Sequence, residues 1–278
     1  MAKCNLCYHN CEIEDGKYGF CGVRTCKDGF IFPENYGQLT SIALDPIEKK
    51  PLRRFMPGSC ILSVGSYGCN LRCPFCQNFR ISWSQEAYGN KEQTRYFSPE
   101  ALTKIAVDQR KNGNIGVAFT YNEPLIFYEY VLDTARLLRA AGLKTVLVTN
   151  GMANVSVVKD IFYYIDAMNI DLKGFTDHYY HEVLKGERKM VMDFIIEAVK
   201  HCHIELTTLI VPGENDTPEE MRELSGWISS LDNTIPLHIS RFFPRFKMQD
   251  RDATPVDAIY KLKTVAEQNL KYVFTGNC

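Results

Sequence analysis

Apolar residues along this chain follow two alternating rhythms. Short runs rich in Val, Ile, Leu and Thr occupy 61–65, 115–120, 145–149, 167–172, 204–211, 237–240 and 272–275, and their length and composition predict buried strands. Between them, 99–111, 127–141, 155–165, 190–201, 218–229 and 255–268 carry apolar residues at helical spacing. Ser98-Pro99-Glu100 and Thr217-Pro218-Glu219-Glu220 supply the polar cap, the proline and the early acid that open a helix. Regular alternation of strand and helix predicts an α/β fold around a parallel sheet, with functional loops at the carboxyl ends of its strands. The first predicted strand runs straight into Gly68-Cys69-Asn70-Leu71-Arg72-Cys73-Pro74-Phe75-Cys76-Gln77-Asn78.

The amino-terminal part breaks this rhythm. It holds Cys4, Cys7, Cys11, Cys21 and Cys26 among glycines and charges, with too few apolar residues for a core of its own. A cysteine-rich, metal-binding segment over 1–55 in front of a barrel over 56–278 is therefore expected. A chain of 278 residues with 45% apolar content is long enough for one large core. Its 32 basic and 33 acidic side chains nearly cancel, so no global field points to nucleic acid or an anionic membrane. There is no long apolar stretch and no hydrophobic leader after Met1, so a cytoplasmic protein is expected. In that reducing compartment the 11 cysteines read as metal ligands rather than as a disulfide framework.

Two cysteine groups carry the chemistry. Cys69, Cys73 and Cys76 form C-x3-C-x2-C with Phe75 inside it; three thiolates on one short loop can hold three irons of a [4Fe-4S] cube and leave the fourth open. Zinc usually takes pairs of ligands from separated knuckles to close a tetrahedron, which this loop lacks. Cys4, Cys7, Cys11 and Cys21, spaced C-x2-C-x3-C-x9-C, supply four thiolates, a closed set for zinc or for a fully ligated second cluster. Cys26 is left over, and Cys60, Cys202 and Cys278 have no predicted role. Asp171 and Lys173 are two apart on a predicted strand and face one side, while Ile170 and Leu172 face the other. Such a pair is either a structural salt bridge or a ligand site.

The cysteine loop resembles the signature of the radical S-adenosylmethionine (SAM) superfamily. The resemblance implies a partial (β/α)6-type TIM barrel, a [4Fe-4S] cluster and SAM. It also implies an oxygen-sensitive oxidoreductase that cleaves SAM to a 5′-deoxyadenosyl radical and abstracts hydrogen from a substrate. Glu123, in Thr120-Tyr121-Asn122-Glu123-Pro124, matches the acid of the family's amine-binding segment, with Tyr121 and Asn122 in place of its two glycines. Thr149-Asn150-Gly151 and Asn169-Ile170-Asp171-Leu172-Lys173 resemble the segments around the SAM ribose and carboxylate in glycyl-radical-enzyme activases. Phe75 is expected near the adenine, and His238 matches a strand-end histidine near the adenosine. Arg241 is a candidate anion contact, and His178, Tyr179, Tyr180 and His181 form a candidate covering loop. Val148 stands where the activases carry an Asp, which removes the expectation of a monovalent cation beside SAM.

Lys3-Cys4-Asn5-Leu6-Cys7, the segments from Gly16 to Arg24 and from Asp45 to Leu52, and Cys76-Gln77-Asn78 resemble one branch. These are the pyruvate formate-lyase activating enzyme-like proteins known as AmmeMemoRadiSam radical SAM proteins. Those relatives commonly continue past a Gly-Asn to a cysteine-bearing tail, whereas this chain ends at Gly276-Asn277-Cys278. The resemblance implies an electron donor such as flavodoxin or ferredoxin and a protein, peptide or small-molecule substrate, with activation of a glycyl radical enzyme as one form. The alternative from another class is an iron-sulfur electron-transfer or interaction module that never cleaves SAM.

Overall fold

The computed structural model describes residues 1–84 and 93–278. Its centre is an eight-stranded sheet. Strand β1 (Ser41–Pro46) pairs antiparallel with β2 (Cys60–Gly65). From β2 the sheet runs in parallel through β3 (Asn114–Phe119), β4 (Lys144–Thr149), β5 (Ala167–Asp171), β6 (His203–Ile210), β7 (Leu237–Arg241) and β8 (Val273–Gly276). All seven apolar runs of the sequence are thus strands of one sheet, in chain order. Among the described residues β1 and β8 are its two unpaired ends, so the barrel is open. Strand β1 lies inside the cysteine-rich segment but belongs to the barrel sheet.

Five main helices cover the outer face: α1 (Pro99–Asp108), α2 (Tyr128–Ala140), α3 (Arg188–Ala198), α4 (Pro218–Leu231) and α5 (Val256–Ala266). The expected starts of α1 and α4 are present, with the Ser98 hydroxyl accepting the Ala101 N–H and the Thr217 hydroxyl accepting the Glu220 N–H, both at 3.2 Å. The expected helix over 155–165 is instead a single turn, Val155–Val158, followed by the tighter turn Lys159–Tyr163. Three valines in four residues lose side-chain freedom in a helix and weaken it there. Gly116 lies where a Cβ would stand 1.8 Å from the Lys144 carbonyl oxygen, so only glycine permits the approach of β3 to β4. No helix among the described residues is long and apolar enough to cross a membrane.

The two faces of the sheet differ because successive strand residues point to opposite sides. Outward residues such as Val64, Phe119, Leu147, Ile170 and Leu206 join one large apolar cluster under the helices. That cluster also takes in Leu6, Ile13 and Val23, so the amino-terminal segment packs on the barrel's own core. The inner face begins with the small apolar group Ile61, Ala118, Val146 and Ala167, covered by Ile47 and Leu52. Along one column of β5, Ala167, Asn169 and Asp171, the inner face passes from apolar to polar to charged. The segment after β1 closes the apolar end: Asn169 donates to the Pro51 carbonyl at 2.9 Å, and the main-chain N–H groups of Arg53 and Arg54 donate to Glu205 at 3.0 and 2.7 Å.

Candidate active site

The cysteine loop follows β2 directly, and its neighbours set its course. The Asn122 side chain accepts the Ser66 N–H at 2.9 Å and donates to the carbonyls of Tyr67 and Gly68 at 3.1 and 3.2 Å. Gly68 has φ +88°, and a Cβ there would stand 2.5 Å from Val23 Cγ1 and 2.9 Å from the Cys21 carbonyl oxygen. Glycine is required on both counts. Beyond it, Asn70 donates to the Met152 carbonyl at 2.7 Å and accepts from Asn150 Nδ2 at 2.9 Å. Arg72 folds back on the carbonyls of Cys69 and Leu71 at 2.9 and 2.8 Å. The result is a fixed loop with three thiols at the carboxyl end of β2, Cys73 buried and Cys69 and Cys76 half-buried.

Burial lifts these thiols. It pushes Cys69 well above the usual thiol range, Cys73 up to about 12, and Cys76 up as well; the charges of Glu123 and the other thiols add to the effect at Cys69, whereas Lys173 offsets part of it at Cys73 and Cys76. Such thiols are poor nucleophiles and keep their protons until a metal displaces them. Among the described residues no three His, Cys, Asp or Glu side chains are arranged to grip a metal ion. In both cysteine groups the thiols lie near enough to act on one another's charge without being arranged around a single centre.

Polar and charged groups meet the loop at the ends of the next three strands. Glu123, just past β3, is buried and accepts from the Thr149 hydroxyl at 2.6 Å, the Leu125 N–H at 2.9 Å and the Asn150 N–H at 2.8 Å. Burial pushes its carboxyl up to about 7 against the pull of those donors. Asn150 Nδ2 also stands 3.8 Å from Cys69 Sγ. At the end of β5, Lys173 Nζ bonds Asp171 at 2.6 Å, so the two pair while Ile170 and Leu172 lie in the core. Burial works against the Lys173 ammonium, but Asp171 and Cys73 hold its pKa well above normal. Phe75, within the loop, is buried edge-on to Phe242 at 6.3 Å.

Three of the expected site residues have partners within the protein. The side chain of Asn122 is spent on the turn that launches the loop. His238 is the second residue of β7 and bonds Glu205 at 2.6 Å. In register it faces Thr207 of β6, which in turn faces Asp171 of β5. Arg241 is tied to the Thr254 carbonyl at 2.6 Å. Of the candidate covering loop, Tyr179 and Tyr180 are buried, and the Tyr180 hydroxyl accepts the Lys173 N–H at 3.1 Å. Positioning roles for Asn70, Arg72 and Asn78 went unassigned in the sequence. Their signal was an amide or guanidinium inside or beside a tight loop, where unpaired carbonyls need donors; Asn78 serves the Tyr121 carbonyl at 2.7 Å.

The amino-terminal cysteines also come together. Cys4, Cys7 and Cys21 are buried, Cys11 is half-buried, and Cys7 feels the charge of the other three. Cys26 is occupied elsewhere, its thiol donating to Asp15 at 3.0 Å.

An open parallel barrel with a three-cysteine loop after its first strand defines a class, and residues 63–225 match the radical SAM superfamily. The chain belongs to that family. It is an enzyme of SAM-dependent radical chemistry, with the [4Fe-4S] cluster and SAM that the family implies. It is 35% identical to the uncharacterized protein MJ0808 of Methanocaldococcus jannaschii over 99% of this chain and 81% of that protein. It is 27% identical to the pyruvate formate-lyase-activating enzyme of Clostridium pasteurianum over 62% of this chain and 72% of that enzyme. The crystal structure of Streptococcus suis SuiB bound to S-adenosylmethionine superposes with a TM-score of 0.59, covering 78% of this chain and 52% of SuiB at 14% identity. That likeness is one of fold.

Proposed function

We propose that Cys69, Cys73 and Cys76 hold three irons of the cluster and leave the fourth to SAM, and that the enzyme abstracts hydrogen from a protein or peptide. When bound, the cluster and SAM together supply the chemistry, an electron cleaving the sulfonium to a 5′-deoxyadenosyl radical. The carrying observation is the convergence of the loop with Glu123, Asn150, Asp171 and Lys173 at the carboxyl ends of β2 to β5.

The residues divide the work by chemistry. Glu123 is a buried carboxylate with three neutral donors, so the methionyl ammonium of SAM is the counter-charge its site favours. Thr149 and Asn150 hold it in place. Asp171 and Lys173 present a paired charge beside Cys73, suited to the ribose hydroxyls and the methionyl carboxylate. Phe75 offers an apolar face to the adenine. The protein-directed reading rests on the likeness to an activating enzyme, whose name designates another protein as its target; installing a glycyl radical on a partner enzyme is its narrowest form, and a flavodoxin or ferredoxin is the proposed electron source.

Anaerobic, reduced protein mixed with SAM tests the reading. It should release 5′-deoxyadenosine, and Cys73→Ala should abolish that release together with the loop's iron. Glu123→Ala should weaken SAM binding at unchanged iron content. A triple Cys69/Cys73/Cys76→Ala variant that still makes deoxyadenosine would overturn the assignment. A wild-type protein that carries the cluster but leaves SAM intact would instead favour an electron-transfer module.

A further inference from the structure

The amino-terminal cysteines are brought together by local structure. Residues Ala2–Lys3 pair antiparallel with Glu12–Ile13, closing the loop that carries Cys4, Cys7 and Cys11, and the Cys4 N–H bonds the Cys11 carbonyl at 2.8 Å. The Asn10 N–H returns to the Cys7 carbonyl at 3.1 Å in a turn that puts Asn10 at φ +44°. A second antiparallel pair, Arg24–Lys27 with Phe30–Pro33, presents the turn that holds Cys21. Main-chain N–H groups are aimed at the sulfurs: Phe20 at Cys11 at 3.3 Å, Arg24 at Cys21 at 3.5 Å, and His9 at Cys7. Leu71 is aimed at Cys69 in the same way, at 3.4 Å. Donors directed at sulfur stabilise thiolate charge, which a packing thiol does not carry.

This group touches the other cysteine loop directly. The Cys69 N–H donates to the Cys21 carbonyl at 3.3 Å. His9 Nε2 donates to the Asn70 carbonyl at 2.9 Å and its ring stacks on Phe20 at 3.7 Å. The Arg72 guanidinium lies 3.8 Å over the Phe20 ring and donates to the Phe20 carbonyl. Cys69, Asn70 and Arg72 are thus held by residues that are themselves quartet cysteines or stand within two positions of one.

We propose that Cys4, Cys7, Cys11 and Cys21 form a second, closed thiolate centre for zinc or an iron-sulfur cluster, and that loading it fixes the Cys69 to Cys76 loop. With four protein ligands the centre has no open position for substrate. Its effect is mechanical: drawing Cys21 inward orders the carbonyl that holds Cys69. Only this coupling rests on the function proposed above; the centre itself does not.

Metal counting on reconstituted wild-type protein tests the site without any variant. About four irons with about one zinc, or about eight irons, per chain is the expected result; about four irons and no zinc overturns it. In the Cys69/Cys73/Cys76→Ala variant the second metal should remain, and adding Cys7→Ser should remove it, while Cys26→Ser should keep it. Loss on Cys26→Ser equal to that on Cys7→Ser overturns the ligand set. Coupling is read by amide hydrogen exchange in the Cys69/Cys73/Cys76→Ala variant loaded with the second metal, where adding Cys7→Ser should speed exchange at residues 69–72 about tenfold and leave β4 unchanged. Unchanged exchange at 69–72 after the metal is lost overturns the coupling and leaves the radical chemistry untouched.

Discussion

Two buried carboxylates in this barrel have opposite characters. Glu205 on β6 accepts four bonds, the Arg54 N–H and His203 on one oxygen and the Arg53 N–H and His238 on the other. Burial works against its charge, but these donors outweigh it and hold Glu205 down at about 2. Glu123 accepts three bonds from neutral groups, and burial keeps it up at about 7. Both are essentially inaccessible, so depth does not separate them. The number and kind of donors do. Glu205 is complete without a ligand and closes one end of the barrel, whereas Glu123 sits at the end that carries the cysteine loop with its charge under-compensated, as suits a group that meets a cation.

The largest expected effect distinguishes these two conditions. In Glu205→Gln the new amide NH2 faces a main-chain N–H whichever way it is turned, so the variant should lose about 3 kcal/mol. That corresponds to roughly 6–12 °C in Tm. Glu123→Gln also turns its NH2 toward a main-chain N–H, of Leu125 or of Asn150, but it sheds a charge that burial disfavours, and at pH 8 it should stay within about 1 kcal/mol of wild type. Thermal melts of both variants in cluster-free form decide the matter; equal losses would break the contrast.

How far the sequence foretold this contrast is instructive. The strand order, the outer helices and the cysteine loop were legible because each is a local pattern, a β-branched run, a cap with its proline, or a fixed cysteine spacing. Asp171 and Lys173 were legible as a same-side pair because strand periodicity alone dictates it. Glu205 was invisible: it occupies one polar position in the apolar run of β6, and its four donors come from three other places in the chain. His238 was matched to the cofactor by resemblance alone; its bond to Glu205 depends on the pairing of β6 with β7, where Thr207 faces His238. The contact between Cys21 and Cys69 was equally hidden, because a main-chain bond across 48 positions leaves no side-chain signature. Gly68 was its only trace.

The next effect is a pH dependence of opposite sign at the two carboxylates. Glu123 is raised from an ordinary 4.5 to about 7 in the fold, so its contribution to stability is full below about 4.5 and is lost as pH rises through about 7. Glu205 is depressed from 4.5 to about 2, so its contribution is present above about 4.5 and is lost as pH falls toward about 2. Cluster-free wild type should therefore lose on the order of 2 kcal/mol between about pH 5 and 8 that Glu123→Gln does not lose. Urea unfolding across that range measures it, and parallel curves for the two proteins would remove Glu123 as the source.

The smallest effect tests whether donor supply is the cause. The Thr149 hydroxyl gives Glu123 its shortest bond, at 2.6 Å, and donation to a carboxylate favours the charged form. Thr149→Val keeps the shape and removes the donor, which is worth about 1 kcal/mol toward the ionised state. The midpoint for Glu123 should then move up from about 7, by roughly half to one pH unit. The stability cost should appear mainly above that midpoint, where the carboxylate is charged, and fade near pH 5, where it is protonated in both proteins. Urea unfolding of Thr149→Val at both pH values reads this directly. A cost of equal size at both would mean that Thr149 acts through packing, and the difference between Glu123 and Glu205 would have to come from something other than their donors.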